Sequence, residues 1–177
     1  LWQILPLGPT GYGDSPYQCF SAVAGNPLLV SLDALVSHGL LAHDELRAAL
    51  PPHGFSPDSV DYGAVLAFKL PLLQQAFARL KAGAAPQLAA AFRGFRAANV
   101  AWLDDYALFM ALKDAHGGAA WHSWEPALRD REPAALEAAR EAHAESVECH
   151  QFLQFLFFDQ WAPLKAHANA RGITIIG

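Results

Sequence analysis

"FLQFLFFDQWAPLKAHANARGITIIG", residues 152–177, is the stretch on which the fold turns. Its opening, as far as Trp161, is apolar nearly all round, and a helix of that composition has to be buried on every side. The continuation reads as the same helix running to about Arg171. "GITIIG" (172–177) then starts on a glycine stop and turns into a β-branched run of strand type. At the other end of the chain "LWQILPL" (1–7) has the same strand character. Two strands at opposite ends, separated by helices, are expected to lie parallel, as a much enlarged βαβ unit. The fold class is therefore α/β, although mostly α by residue count.

Between the strands the signals are helical. "SLDALVSHG" (31–39) offers Ser31 as an N-cap and Gly39 as a stop. "HDELRAAL" (43–50) is a short helix ended by Pro51 and Pro52, and "PPHGFSPDSVD" (51–61) is a loop. The next helix is expected from about Tyr62 to Lys81, kinked or split at Pro71 and terminated by "GAAP" (83–86). From Pro86 an alanine-rich helix extends to Gly117–Gly118, with a break open near Asn99. Phe92, Phe95, Trp102, Tyr106, Phe109 and Met110 recur along it at helical spacing and read as core. "GGAAWHSWEPALRDRE" (117–132) is an irregular connector. One long helix is expected from about Pro133 to Arg171, its charged first half on a surface and its apolar second half inside a larger body.

Composition narrows the function. Hydrophobic residues make up 53% and charged residues 16% of the 177, against roughly 25% charged in an average soluble protein. So little charge implies extensive burial, in part against chain not present here. The net charge is −5 and there is no basic cluster, so a nucleic-acid partner is not expected. No apolar run approaches the roughly 18 residues of a membrane helix, and no signal-peptide pattern is present. Cys19 and Cys149 have no CxxC spacing and read as thiols in a reducing compartment, which makes the expected location cytoplasmic. Leu1 is not a start methionine, and a chain that starts and stops inside strands reads as an interior segment of something longer.

Chemistry-bearing motifs are sparse. The eight histidines include no HxxxH or HExxH spacing. His143 and His150 share a helix face but lie about two turns apart, too far for one tetrahedral ion, so no metal site is expected. GxSxG is absent. Cys149 and His150 are adjacent on a helix and diverge, so they do not form a dyad. Asp104 and Asp105 diverge in the same way, and the other carboxylates read as caps, surface pairs or solvated faces. "GPTGYG" is neither a phosphate loop nor GxGxxG. No complete catalytic constellation is expected.

What remains is "LPLGPTGYGDSPYQ" (5–18), a loop that follows the first strand. In parallel α/β folds the C-terminal ends of strands are where sites are built. Gly8, Gly11 and Gly13 permit close backbone approach, and Pro9 and Pro16 stiffen the loop. Tyr12 and Tyr17 present flat rings edged with hydroxyls, while Asp14, Ser15 and Gln18 add hydrogen-bonding groups. Flat faces with fixed polar rims suit a sugar. The residues alone are equally compatible with a rigid turn whose tyrosines pack on neighbouring helices.

"WQILPLGPTGYGDSPYQCFSAVAGNPLLVSLDAL" closely resembles the first-strand segment of the amylomaltases, the 4-α-glucanotransferases of glycoside hydrolase family 77. "VDYGAVLAFKLPLL", "WLDDYALFMALKDAHGGAAW", "LRDREPAAL" and "FLQFLFFDQWAPLKAHANARGITIIG" resemble that family's later blocks in order, so the likeness covers essentially the whole chain. It implies a segment of a (β/α)8 TIM barrel with a large helical insertion. Residues 1–30 would be the first barrel strand and active-site loop, 31–132 the helical insertion, and 133–177 the long helix returning to the second strand. The implied activity is transfer of α-1,4-glucan segments between maltooligosaccharides, or to glucose, by a retaining double displacement. That reaction needs two carboxyl groups about 5 Å apart. In this family they come from later strands, so no catalytic residue falls within this chain.

The resemblance also implies no metal or organic cofactor. Its partners would be α-1,4-glucans and the missing remainder of the barrel. It carries Tyr17 over as a wall of the glucan cleft, Ser15 and Asp14 as members of the same loop, and Tyr12 as part of a second glucan groove. The aromatic partner of that groove falls at Leu66, which cannot stack a sugar as a ring does. Cys19 stands where serine is common and receives no role. Two other readings stay open beside this one: a stand-alone helical carbohydrate-binding or protein-interaction module, and a hydrolase of the same barrel superfamily. Unpaired strands at both ends weigh against the first.

Overall fold

In the computed structural model, β1 (Trp2–Gln3) and β2 (Ile175–Ile176) pair in parallel, Trp2 opposite Ile175 and Gln3 opposite Ile176. The backbone N–H of Trp2 donates to Thr174 and that of Ile4 to Ile176, both at 2.8 Å. The structure describes residues 1–176; Gly177, the end of the expected second strand, lies outside the described residues. Everything between the strands is helix and connector.

The helices are α1 (Leu32–Ser37), α2 (His43–Ala49), α3 (Tyr62–Lys81), α4 (Pro86–Ala115), α5 (Pro126–Arg129), α6 (Pro133–Ala142) and α7 (Ala144–Asn169). Several boundaries follow from capping. Ser31 Oγ accepts from the N–H of Ala34, and Asp61 Oδ1 accepts from that of Ala64. The connector after Gly118 holds a 3-10 turn (Trp121–Ser123) and the single turn of α5.

Three expectations need correction. Pro71 does not split α3 in two: the helix runs unbroken from Tyr62 to Lys81. Pro71 and Ala67, whose carbonyl loses its partner, both lie on the exposed face, where water satisfies the freed group. The opposite face buries Leu72, Leu73, Ala76, Phe77 and Leu80, which offsets the roughly 3 kcal/mol that an interior proline costs. Asn99 does not interrupt α4 either. Its side-chain amide donates to the carbonyl of Phe95 at 2.8 Å and accepts from the indole of Trp102 at 3.0 Å, within the helix.

The long helix, by contrast, is two. His143 leaves helical geometry (φ −113, ψ 21) between α6 and α7. The break lets α6, with Val147 at the start of α7, serve a smaller cluster while the rest of α7 enters the main core. On α6, Ala139 and Leu136 pack with Leu108, Leu112 and Trp124. On α7, Gln151 to Phe157 form seven consecutive buried residues in the main core.

That core is aromatic. The Phe152 ring lies 5.7 Å from Phe77 and 5.5 Å from Phe92; Phe155 lies 5.6 Å from Phe92 and 5.8 Å from Phe95; Phe158 reaches Trp102 at 5.9 Å. The α4 stripe is thus core as expected, although it divides: Phe109 belongs with Trp124 and Phe20. The apolar half of α7 is fully buried within this chain only as far as Phe157, with Phe158 and Trp161 half-buried against the core. Beyond them Leu164 is largely exposed. No helix among the described residues is long and apolar enough to cross a membrane.

Candidate functional site

The loop after β1 is drawn closed by its own backbone. Asn26 N–H donates to the carbonyl of Leu7 at 2.7 Å, and Phe20 N–H to that of Pro9 at 3.4 Å. Gly11 is needed where the two legs touch: a Cβ there would stand 2.2 Å from the carbonyl oxygen of Gln18. At the tip Tyr12–Asp14 make a 3-10 turn, with Asp14 in the left-handed region at φ 55. Aspartate tolerates that conformation better than most residues because its short polar chain bonds locally. Ser15 closes the turn; its hydroxyl accepts from Tyr17 N–H at 3.3 Å and its carbonyl from Gln18 N–H at 3.2 Å.

All four residues singled out from the sequence therefore share this tip. Ser15 is half-buried and turns the chain. Asp14 is exposed. Tyr12 is 89% and Tyr17 74% exposed, so the helices of this chain do not pack over either ring. A cavity of about 720 Å³ borders the same loop, walled by Pro9, Thr10 and Phe20 together with Leu66, Met110 and His150. Leu66 faces that cavity; Tyr12, Asp14, Ser15 and Tyr17 are not among its walls.

The groups around the cavity are bonded rather than reactive. His150 Nε2 meets Asp114 Oδ2 at 2.8 Å. Burial first, then the Asp114 charge, pushes the Cys149 thiol up to about 11, so it is not a thiolate nucleophile. The Tyr106 hydroxyl is raised by the same two causes. Asp104 accepts from Gln151 at 2.8 Å, whereas Asp105 faces Arg131 at 2.6 Å and Arg140 at 3.4 Å, so the two aspartates diverge as expected. No three His, Cys, Asp or Glu side chains converge as a metal-holding group among the described residues.

Three residues escaped notice in the sequence. Gln154 and Gln160 of α7 and Lys69 of α3 all bond to the backbone of 25–31, the segment that carries the loop back into the core. Gln154 Oε1 accepts from Gly25 N–H at 2.7 Å and its Nε2 donates to Gly25 O at 2.9 Å. Gln160 repeats the pattern on Ser31, at 2.7 and 3.3 Å. Lys69 Nζ donates to the carbonyls of Leu28 at 2.6 Å and Val30 at 2.7 Å, and burial lowers its pKa. Partners 129 residues apart leave no local signature.

Against known families, the model described as 4-alpha-glucanotransferase, glycoside hydrolase family 77, matches residues 1–177. The chain belongs to this family. A 4-alpha-glucanotransferase of Thermus thermophilus is 53% identical over 176 residues, covering 99% of this chain and 34% of its own length. The chloroplastic/amyloplastic 4-alpha-glucanotransferase of Solanum tuberosum is 36% identical over 183 residues, covering 100% of this chain and 31% of its own. Among solved structures, an amylomaltase from Streptococcus agalactiae in complex with acarbose superposes with a TM-score of 0.88 at 38% identity, over 99% of this chain and 35% of that one. The chain spans about a third of the length of the curated relatives it matches.

Proposed function

We propose that this chain is the part of a 4-α-glucanotransferase that supplies one wall of its glucan cleft. In this reading β1 and β2 are the first and second strands of a (β/α)8 barrel. Residues 1–30 carry the first strand and active-site loop, 31–132 the helical insertion, and 133–177 the return to the second strand. The exposed apolar side chains at and near the strands, Leu1, Trp2, Leu5 and Ile176, are the surface on which the rest of the barrel would close. Two free thiols, Cys19 and Cys149, suit a reducing, cytoplasmic setting.

The enzyme would move an α-1,4-glucan segment in two inversions. A carboxylate attacks the anomeric carbon while an acid protonates the leaving glycosidic oxygen; the 4-hydroxyl of an acceptor then displaces the carboxylate, giving its proton to the former acid, now a base. Both carboxyl groups belong to the remainder of the enzyme. The contribution of this chain is to bind and orient. The Tyr17 ring would stack on a sugar face, with Ser15 and Asp14 shaping the same tip, and Tyr12 would contact glucan further out. Leu66, turned to the cavity, offers no second ring for such a groove.

The observation that carries the reading is the pair of exposed tyrosines on a loop whose backbone is otherwise closely bonded. An exposed ring on a rigid support is a stacking platform. The acarbose complex of the S. agalactiae amylomaltase supports a saccharide as its occupant. The experiment is Tyr17→Ala in the full-length enzyme. Disproportionation of maltotriose should fall at least tenfold with the fold intact, and unchanged transfer kinetics would refute the assignment.

A further inference from the structure

Gln154 is fully buried in a run of phenylalanines and leucines. A buried amide costs about 1–3 kcal/mol for each polar end left without a partner, so its presence there calls for bonds at both ends. Both exist on one residue: Gly25 gives its N–H and receives at its carbonyl, as it would from a neighbouring strand, while Nε2 also reaches the Tyr106 hydroxyl at 3.5 Å. Gly25 is also pressed from the same helix. A Cβ at this position would stand 2.0 Å from the Phe157 ring, so only glycine approaches α7 closely enough for the pair of hydrogen bonds to form.

The next residue, Asn26, donates its N–H to Leu7, where the outgoing leg begins. Gln154 therefore holds the place where the two legs of the loop meet. Between root and tip the two legs are braced by the Phe20–Pro9 bond at 3.4 Å and by the Phe20 ring packed on Phe109, so the tip follows the root as one body. Gln160 and Lys69 continue the attachment as far as Ser31, away from the root.

We infer that Gln154 is a positioning residue for glucan transfer: its side-chain amide, clamped on both backbone groups of Gly25, sets the root of the loop and through it the place of the Tyr17 ring. The inference rests on the cleft reading above. A clamp of this kind matters because displacement of a binding group by about 1 Å costs up to a hundredfold in rate.

The test compares Gln154→Leu, Gln154→Glu, Tyr17→Ala and the Gln154→Leu/Tyr17→Ala double variant in the full-length enzyme, with maltotriose as substrate and thermal unfolding as control. Gln154→Leu should lower kcat/KM about tenfold or more. The double variant should lose little beyond Tyr17→Ala alone, because both changes remove the same contact. A double loss equal to the product of the single losses would reduce Gln154 to a structural residue and overturn the inference. A Tyr17→Ala enzyme with full activity would instead overturn the cleft reading beneath it.

Gln154→Glu gives a readout that survives if the leucine variant fails to fold. A neutral carboxyl keeps one O–H donor and one carbonyl acceptor, so it can reproduce the clamp, whereas the carboxylate cannot donate. Its activity relative to the unsubstituted enzyme should rise as pH is lowered. A ratio that stays flat with pH would contradict the clamp.

Discussion

The stretch 151–157 of α7 and the loop from Gly8 to Phe20 are both rich in rings, and their fates are opposite. In α7 every side chain from Gln151 to Phe157 is buried, and each phenylalanine meets another ring within this chain. In the loop the polypeptide backbone is bonded to itself while Tyr12 and Tyr17 stand free. Aromatic surface placed in the core is there for stability. Aromatic surface held out on a closed loop contributes little to stability and suits a ligand. The glutamine clamp joins the two regions, so that the rigid one sets the place of the other.

Substitutions should separate them. The largest effect is expected at Phe152, which is fully buried between Phe77 and Phe92. Phe152→Ala should cost about 3–5 kcal/mol in urea unfolding, as for other buried phenylalanines. A loss under about 1 kcal/mol, typical of surface positions, would break the contrast.

A smaller effect is expected where α2 is fastened to α3 at the rim of the core. Glu45 accepts from Arg79 at 2.7 Å, from Gln75 at 2.8 Å and from Ala42 N–H at 2.8 Å. The Arg79 bond, followed by that of Ala42, holds its carboxyl down to about 2. A folded-state pKa below the unfolded value of about 4.3 stabilises at higher pH and is lost as pH falls toward 2. Glu45→Gln should therefore lower stability at neutral pH and flatten its decline between about pH 4 and 2, read by denaturation at a series of pH values. An unchanged acid limb would remove Glu45 from the account. The smallest effect belongs to the loop: Tyr17→Ala should change stability by no more than about 0.5 kcal/mol. A larger change would mean that the ring is packed rather than presented.

Much of this was legible beforehand, for local reasons. Ser31, Gly39 and the Pro51–Pro52 pair announce helix ends through capping or a missing donor, and the strand-like ends do pair in parallel. The loop stood out because Gly, Pro and Tyr alternate there with no helical period. What was missed depends on distant partners. Nothing in "EAHAES" marks a break at His143; the chain bends there because Ala139 belongs to one cluster and Phe152 to another. Pro71 looked like a break because the sequence does not say which face meets water. Gln154 and Gln160 read as polar interruptions in an apolar helix until Gly25 and Ser31 arrive beside them.

The comparison is tested most directly by amide hydrogen exchange on the full-length enzyme, with and without a saturating maltooligosaccharide. Amides of residues 11–18 should slow when the glucan binds, while those of 151–157, already protected by the core, should not change. Unaltered exchange across 11–18 at saturation would contradict the assignment of this loop to the glucan.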